Sequence, residues 1–423
     1  MTAALRRSFN SLSVRNYRRY FTGQLVSLSG NWMQTVAEVW LILGLTGSGV
    51  AVGLTTALQF LPILLFGAWG GLLADRFSKR RLLMVTQATM ALPALALFAL
   101  TASGAVAPWM VFALVFVRGA VNAVDNPTRQ SFVIEMVGPE RVVNAVSLNS
   151  VIVHSARIVG PAIAGALIAT VGVAPCFAVN AATFGAMLLA LWLMDPAQLR
   201  SAPPAVHEPG AIRAALRYVR RTPELAAPLA LMALVGTFGF NFQVILPLLA
   251  RFSFGGGAGA YAALVCAMGV GSVVGALITG ARGRTGPGLI AAAALAFGVT
   301  ALLAALAPAL AFELPVLALL GAAAVTFAAS INSSLQLAVE PRMRGRVMAL
   351  YSVVFLGSTP IGGPLAGWLS EAYDPRVALL LAAVSGLSAA WAGQVTLSRL
   401  RSRAASRKST AKTASPRTLS ASL

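Results

Sequence analysis

Twelve runs of about 20 or more mostly apolar residues, joined by short connections, leave this 423-residue chain few ways to fold. The runs fall at about 18–44, 50–73, 82–102, 107–128, 145–170, 174–194, 225–249, 258–281, 287–307, 313–336, 347–370 and 377–397. About 20 residues of helix cross roughly 30 Å of hydrocarbon, and a helix satisfies its backbone polar groups within itself. Hydrophobic residues make up 58% of the chain and charged residues 10%, too few for a water-facing surface around so much apolar sequence. The expectation is an all-α integral membrane protein with twelve transmembrane helices.

The charge distribution orients those helices. A net charge of +20 in a soluble chain would point to nucleic acid, but position argues against that partner here. Arg118 and Arg157 fall inside spans, and Arg251 and Arg376 lie at one side of them. The other Lys and Arg of the 32 sit in the N-terminal segment, the alternate connections and the C-terminal tail. The connections at 45–49, 103–106 and 171–173 carry no charge. Such one-sided basicity places the basic connections and both termini in the cytoplasm, against anionic lipid. The long connection 195–224 holds Pro196, Pro203, Pro204 and Pro209, and its stretch 212–221 reads as a basic amphipathic helix. It divides the chain into an N-terminal six-helix bundle (1–194), a cytoplasmic linker (195–224) and a C-terminal six-helix bundle (225–397). The Ser/Thr/Ala-rich basic tail (398–423) is too polar to pack and is expected to be disordered. No cleavable signal is expected, because the first run is long and carries Asn31, Gln34 and Glu38.

Three short patterns repeat between the halves. Leu148-Asn149-Ser150-Val151 returns as Leu350-Tyr351-Ser352-Val353, with Pro139 and Pro341 at the same offset. Gly160-Pro161-Ala162-Ile163-Ala164-Gly165 is paralleled by Gly363-Pro364-Leu365-Ala366-Gly367, and Gly71-x-Leu73 by Gly275-x-Leu277. The two six-helix bundles thus read as pseudo-symmetric halves.

Ionisable groups inside spans are costly, about 2.5–3.5 kcal/mol each at the bilayer centre, so each needs a reason. Glu38 stands out as the fully intramembrane carboxylate. It belongs to a polar stripe with Gln24, Asn31 and Thr35, at steps of 7, 11 and 14 residues, within about 40° on a helix. Such a stripe faces protein or a water-filled cavity. Arg118 lies midway through span four, Arg157 midway through span five, and His154 one turn before Arg157. Arg keeps its proton, so its chemical use is to bias a neighbouring carboxylate. Two readings of this group stand side by side: a proton-coupling site on Glu38, or a static ion pair holding spans one, four and five together. His154 divides likewise between a hydrogen-bonded core residue and a proton relay. Gln24, Asn31, Gln34, Asn122, Phe238, Asn241, Phe242, Asn332 and Gln336 combine apolar bulk with hydrogen-bonding groups and are the candidates to line a solute cavity, with core packing as the alternative. Cys176 and Cys266 read as small buried hydrophobes. There is no Cys/His cluster of metal spacing, no phosphate-binding glycine loop and no nucleophile constellation, so neither a cofactor nor an enzymatic role is expected.

The sequence Gly71-Leu72-Leu73-Ala74-Asp75-Arg76-Phe77-Ser78-Lys79-Arg80 resembles the signature loop between spans two and three of the major facilitator superfamily, with Ser78 in place of its second glycine. That resemblance assigns Gly71, Asp75, Arg76, Lys79 and Arg80 to gating between the two halves. Arg118-Gly119-Ala120 is similar to the superfamily's span-four motif, whose Arg is associated with proton coupling. Gly160-Pro161-x-x-x-Gly165 resembles the span-five motif of exporters, with Ala164 replacing one glycine. Asn16-Tyr17-Arg18-Arg19-Tyr20-Phe21-x-Gly23-Gln24, Asp125-Asn126-Pro127-Thr128-Arg129 and Asn144-Ala145-Val146-Ser147-Leu148-Asn149-Ser150 are similar to the bacterial enterobactin-exporter branch, the transmembrane secretion effectors. The resemblance covers about residues 10–400. It implies a monomeric inner-membrane exporter that exchanges protons for a small organic molecule, drug-like or a siderophore, by alternating access. Import of a small solute, or a non-transporting receptor or assembly role, are the rival readings.

Overall fold

Inside hydrocarbon each backbone N–H and C=O must be paired within its own segment, and the apolar runs fold accordingly. The computed structural model describes residues 10–200, 211–282, 286–340 and 342–413, and its regular structure is helical throughout. The first helices are α1 (Arg15–Thr46), α2 (Gly49–Arg76), α3 (Lys79–Ala102), α4 (Pro108–Val137), α5 (Val142–Val171) and α6 (Ala174–Trp192). In the linker, α7 (Ala211–Arg221) precedes α8 (Pro223–Phe238), α9 (Phe242–Leu248), α10 (Ala258–Arg282) and α11 (Pro287–Leu306). The rest are α12 (Leu310–Ala338), α13 (Arg344–Gly357), α14 (Thr359–Ala372) and α15 (Pro375–Thr413). Part of the linker (201–210), Pro341 and the last ten residues of the tail lie outside the described residues; the described backbone of the tail is helical to Thr413.

Among the described residues, eleven helical segments are long and apolar enough to cross a membrane, with α8–α9 and α13–α14 each counting once. The segment missing from that number is α1, whose Gln24, Asn31, Gln34 and Glu38 lower its hydropathy although it is 32 residues long.

Three details depart from the sequence reading. The connection expected at 129–144 shrinks to four residues, 138–141, because α4 continues to Val137 and α5 starts at Val142. Asp125 pairs with Arg129 one turn on, and Phe132, Val133 and Met136 bury against Tyr20 and Leu148, which carries the helix past Pro127. The run at 225–249 breaks at Gly239-Phe240-Asn241, and the run at 347–370 breaks at Ser358. The two breaks meet: a Cβ on Gly362 would lie 2.6 Å from the Asn241 amide, so only glycine lets α14 start there.

Helix packing explains the repeated motifs. Within the first six helices, α1 packs on α5 and α6, α2 on α4, and α3 on α4 and α6. In the later set, α10 packs on α12, and α11 on α12 and α15. The two sets meet chiefly along two seams, α5 against α10 and α2 against α14. Gly160 and Gly165 make α5 thin enough for α1 on one side and α10 on the other. Gly363 and Gly367 do the same for α14 against α2, where a Cβ on Gly53 or Gly49 would come within 2.5 Å of their carbonyls. Each copy of the Gly-Pro motif therefore marks one seam.

The close approaches across the seams run from the uncharged-connection end inward to Gly357 against Leu64 and Gly269 against Ile158. At the uncharged end, Gly47 takes a left-handed conformation (φ 63°) that turns α1 directly into α2. Ser48 caps α2 by accepting from the Ala51 N–H. The Glu371 carboxylate at the end of α14 reaches across the seam to accept from Ser48 Oγ at 2.6 Å and the Val50 N–H at 2.9 Å. A carboxylate on the N-terminal turn of a helix is favoured both by its unpaired N–H groups and by the helix dipole.

Candidate functional site

The polar stripe of α1 turns toward α4 and α6 and ends in a buried charge network. Glu38 is 1% exposed and Arg118 6%. Arg118 Nη2 donates to Glu38 Oε2 at 2.5 Å, and Gln34 Nε2 donates to Glu38 Oε1 at 2.7 Å. Asn180 of α6 donates to the Gln34 carbonyl, and Thr183 Oγ1 donates to Asn180 Oδ1 at 2.8 Å. Every donor in the chain Thr183–Asn180–Gln34 points toward Glu38, so the amides are aligned to stabilise a negative charge there. Arg118 Nε has no hydrogen-bond partner among the described residues, leaving one donor of the guanidinium unused. A buried pair of this kind holds together only while both charges are present. Asn180 escaped the sequence reading because one Asn in an apolar run gives no pattern, and only packing brings it to Gln34.

Arg157 and His154 lie apart from this network. Arg157 Cζ stands 5.1 Å over the Trp32 ring of α1, and its guanidinium has neither a hydrogen bond nor an ion pair among the described residues. His154 is half-buried with Nδ1 unpartnered. The structure joins Glu38 with Arg118 alone among the four coupling candidates.

A second buried cluster sits toward the basic connections. Asp125 accepts from Thr86 Oγ1 at 2.6 Å and Gln87 Nε2 at 2.9 Å, and pairs with Arg129. Ser27 Oγ donates to Gln87, tying α1 into the same cluster. Lys79 pairs with Glu135 at 2.6 Å, and Arg80 donates to the Leu191 and Trp192 carbonyls at the end of α6. These are bonds within the first six helices. Asp75 is half-buried in the last turn of α2, Arg76 is exposed, and a Cβ on Gly71 would meet no atom within 4 Å. Lys79 and Arg80 of the motif thus anchor α3 to α4 and α6, while its Gly71 face is unpacked.

The cavity candidates divide. Gln34 is fully buried in the charge network, and Gln24 is buried with Oε1 unpartnered. Asn31 is half-buried and donates to the Ser27 carbonyl, and Asn122 is half-buried. Asn241 is buried at the α8–α9 break, bonded to the Thr237 carbonyl at 2.7 Å, and Phe242 packs edge-on against Phe297. Phe238 is half-buried. On α12, Gln336 is exposed and donates to Asn332 at 2.5 Å. Cys266 lies at the α5–α10 seam with its thiol 3.4 Å from the Ile158 carbonyl, and Cys176 is in the core. Among the described residues no three His, Cys, Asp or Glu converge on a metal position.

Glu38 is not the single buried intramembrane carboxylate. Glu313, in the first turn of α12, is 0% exposed, and neither of its oxygens has a hydrogen-bond partner among the described residues. It opens its apolar run, so in the sequence it reads as an edge; packing of α12 on α10 and α11 encloses it.

Two helical seams, with charges buried against one another in the interior, define a helical membrane fold. The same fold occurs in a nucleoside transporter, NupG (TM-score 0.72, 13% identity, covering 90% of this chain and 99% of that one). It also occurs in a bacterial homologue of the human lysosomal transporter Spinster in its inward-facing, unoccupied conformation (TM-score 0.69, 16% identity, 90% and 94%). At these identities the likeness is one of fold. A profile of the transmembrane secretion effectors matches residues 7–422, and the chain belongs to that family of major facilitator transporters. The staphyloferrin A transporter of Staphylococcus aureus is 26% identical over 261 residues, 61% of this chain and 65% of that protein, so the match spans just under two thirds of that relative. The enterobactin exporter EntS of Citrobacter koseri is 25% identical over 380 residues, 88% of each chain.

Proposed function

We propose that the chain is a proton-driven exporter of a small organic molecule, drug-like or a siderophore, working by alternating access in the bacterial inner membrane. The observation that carries this reading is the buried Glu38–Arg118 pair, fed by aligned donors from α1 and α6 at the end of a polar stripe. In this proposal α1 is the twelfth span, since Arg15–Thr46 is long enough to cross and its polar residues face α4, α5 and α6 rather than lipid. The spans then fall six on each side of the linker, as two bundles, with both termini and the basic connections cytoplasmic.

The cycle follows from the seams. In the conformation described, Glu371 bonds α14 to α2 and the glycine contacts close the uncharged, outer end, while the Gly71 face at the basic end is unpacked. This is the cytoplasm-open state, in which solute enters from inside. Opening the outer end requires parting both seams; there the solute leaves and Glu38 takes up a proton from outside, which loosens its hold on Arg118, and after the return its loss to the cytoplasm restores the pair. One proton crossing 100 mV supplies about 2.3 kcal/mol, enough for roughly a 50-fold gradient of a neutral solute at one-to-one exchange. Export is favoured by the Gly160–Pro161–Gly165 geometry at the α5 seam and by the exporter relatives.

The test is accumulation of a fluorescent drug panel and a catecholate siderophore in efflux-deficient cells, with and without an uncoupler. Uncoupler-sensitive lowering of at least one compound by the wild type is the expected result. Raised accumulation of a compound would instead establish import.

A further inference from the structure

Among the first six helices three buried or half-buried cations have carboxylates, Arg118 with Glu38, Arg129 with Asp125 and Lys79 with Glu135, while the half-buried Arg19 and Arg80 donate to backbone carbonyls at and just beyond the end of α6. Arg157 has neither kind of partner among the described residues. It cannot release its proton, and burial of an unpaired guanidinium is unfavourable, so a position like this persists where the missing anion arrives from outside the protein. Its aromatic contact, 5.1 Å over Trp32, fixes the guanidinium as a flat surface, and its Nε has no acceptor among the described residues.

Its place in the fold agrees. Arg157 lies midway along α5, one residue from Ile158, where the α5–α10 seam has its innermost close contacts: Cys266 Sγ on the Ile158 carbonyl and Gly269 against the Ile158 side chain. Trp32 lies on α1 next to Asn31, at the point where Gly160 brings α5 against the Ser29 carbonyl and the Trp32 Cβ. One turn from Arg157 toward the basic end is His154, half-buried with Nδ1 unpartnered. A cation, an indole face and an imidazole are thus gathered at the boundary between the two sets of helices, where an alternating-access protein holds its solute.

We propose that Arg157, backed by Trp32, is the anion subsite of the solute pocket, and that the transported solute is a carboxylate carried on a planar, unsaturated body. The guanidinium receives the carboxylate in a bidentate fork while the flat body lies against the indole. The proposal rests on the exporter reading only for the statement that the bound solute is also moved.

The experiment separates the two. Full-length protein purified in detergent is titrated with salicylate, 1-naphthoate and citrate, and with the neutral amides of the two aromatic acids, following intrinsic tryptophan fluorescence and thermal stabilisation. The wild type should bind at least one aromatic carboxylate and not its amide. Arg157→Gln should weaken that binding at least about tenfold, the loss expected for one charge-assisted bidentate contact. Arg157→Lys, which keeps the charge without the fork, should fall between, and it serves as the reference if Arg157→Gln elutes aggregated. Unchanged affinity in these variants, equal binding of acid and amide, or no binding of any carboxylate by the wild type would overturn the proposal. The transport reading is judged apart, by the uncoupler experiment: export of neutral or cationic compounds with no carboxylate binding defeats the subsite alone, and carboxylate binding with no solute movement defeats the exporter alone.

Discussion

Neutralising Glu38 while Arg118 stays in place would strand a guanidinium in the interior, and removing one partner of a buried pair costs about 3–5 kcal/mol. Glu38→Gln should therefore lower the thermal midpoint of the purified protein, a structural effect that by itself says nothing about protons. The double variant Glu38→Gln/Arg118→Gln removes both charges and should recover most of that loss. In it we expect efflux to persist down a solute gradient but to lose its acceleration by an inward proton gradient, measured in proteoliposomes. Full pH-driven acceleration in the refolded double variant would reduce the pair to a static tie between α1 and α4. Glu313 offers a contrast at the same scale: with no partner for either oxygen, Glu313→Gln should be close to neutral or stabilising in the same melt.

Between elements, the seams are decided by glycines and one carboxylate. A Cβ on Gly53 would come within 2.5 Å of the Gly363 carbonyl, and backbone cannot move aside as a flexible side chain can. Gly53→Val should force α2 from α14 and open the outer end. A cysteine introduced at Val52, fully buried near the outer end of α2, would report this as faster labelling by an impermeant thiol reagent in whole cells. Glu371→Gln acts on the same seam more gently, because an amide can still accept from Ser48 but without charge on the α2 N-terminus. It should raise labelling by a smaller factor than Gly53→Val. Labelling unchanged in both would mean that the outer closure does not depend on this seam.

For the molecule as a whole, the gating motif divides into an anchored part and an unpacked part. Lys79 and Arg80 tie α3 to α4 and α6; in the proposed cycle the Gly71 face, beside Asp75, is where the later helices close in the other state. Asp75→Asn should slow turnover, read as kcat, more than it weakens solute binding. A binding defect with normal turnover would contradict the gating assignment.

The apolar runs and their basic connections determined the helical membrane class, and the motif at Gly71–Arg80 with the Asn16, Asp125 and Asn144 stretches pointed to the family, because hydrocarbon forces each span to be read from local length and composition alone. Glu38 and Arg118 were legible as costly residues, since few charges occur within spans. Which of them touch was not: Glu38 and Arg118 are 80 residues apart, and the choice of Arg118 over Arg157 depends on how α4 and α5 rotate against α1. The same holds for Asn180, for the enclosure of Glu313, for the crossing of Glu371 to Ser48, and for the solitary position of Arg157 over Trp32. Local sequence sets what each helix is, through backbone pairing and transfer free energy. Only tertiary packing, acting through small residues at the seams, decides which charges meet and which one stands without a partner among the described residues.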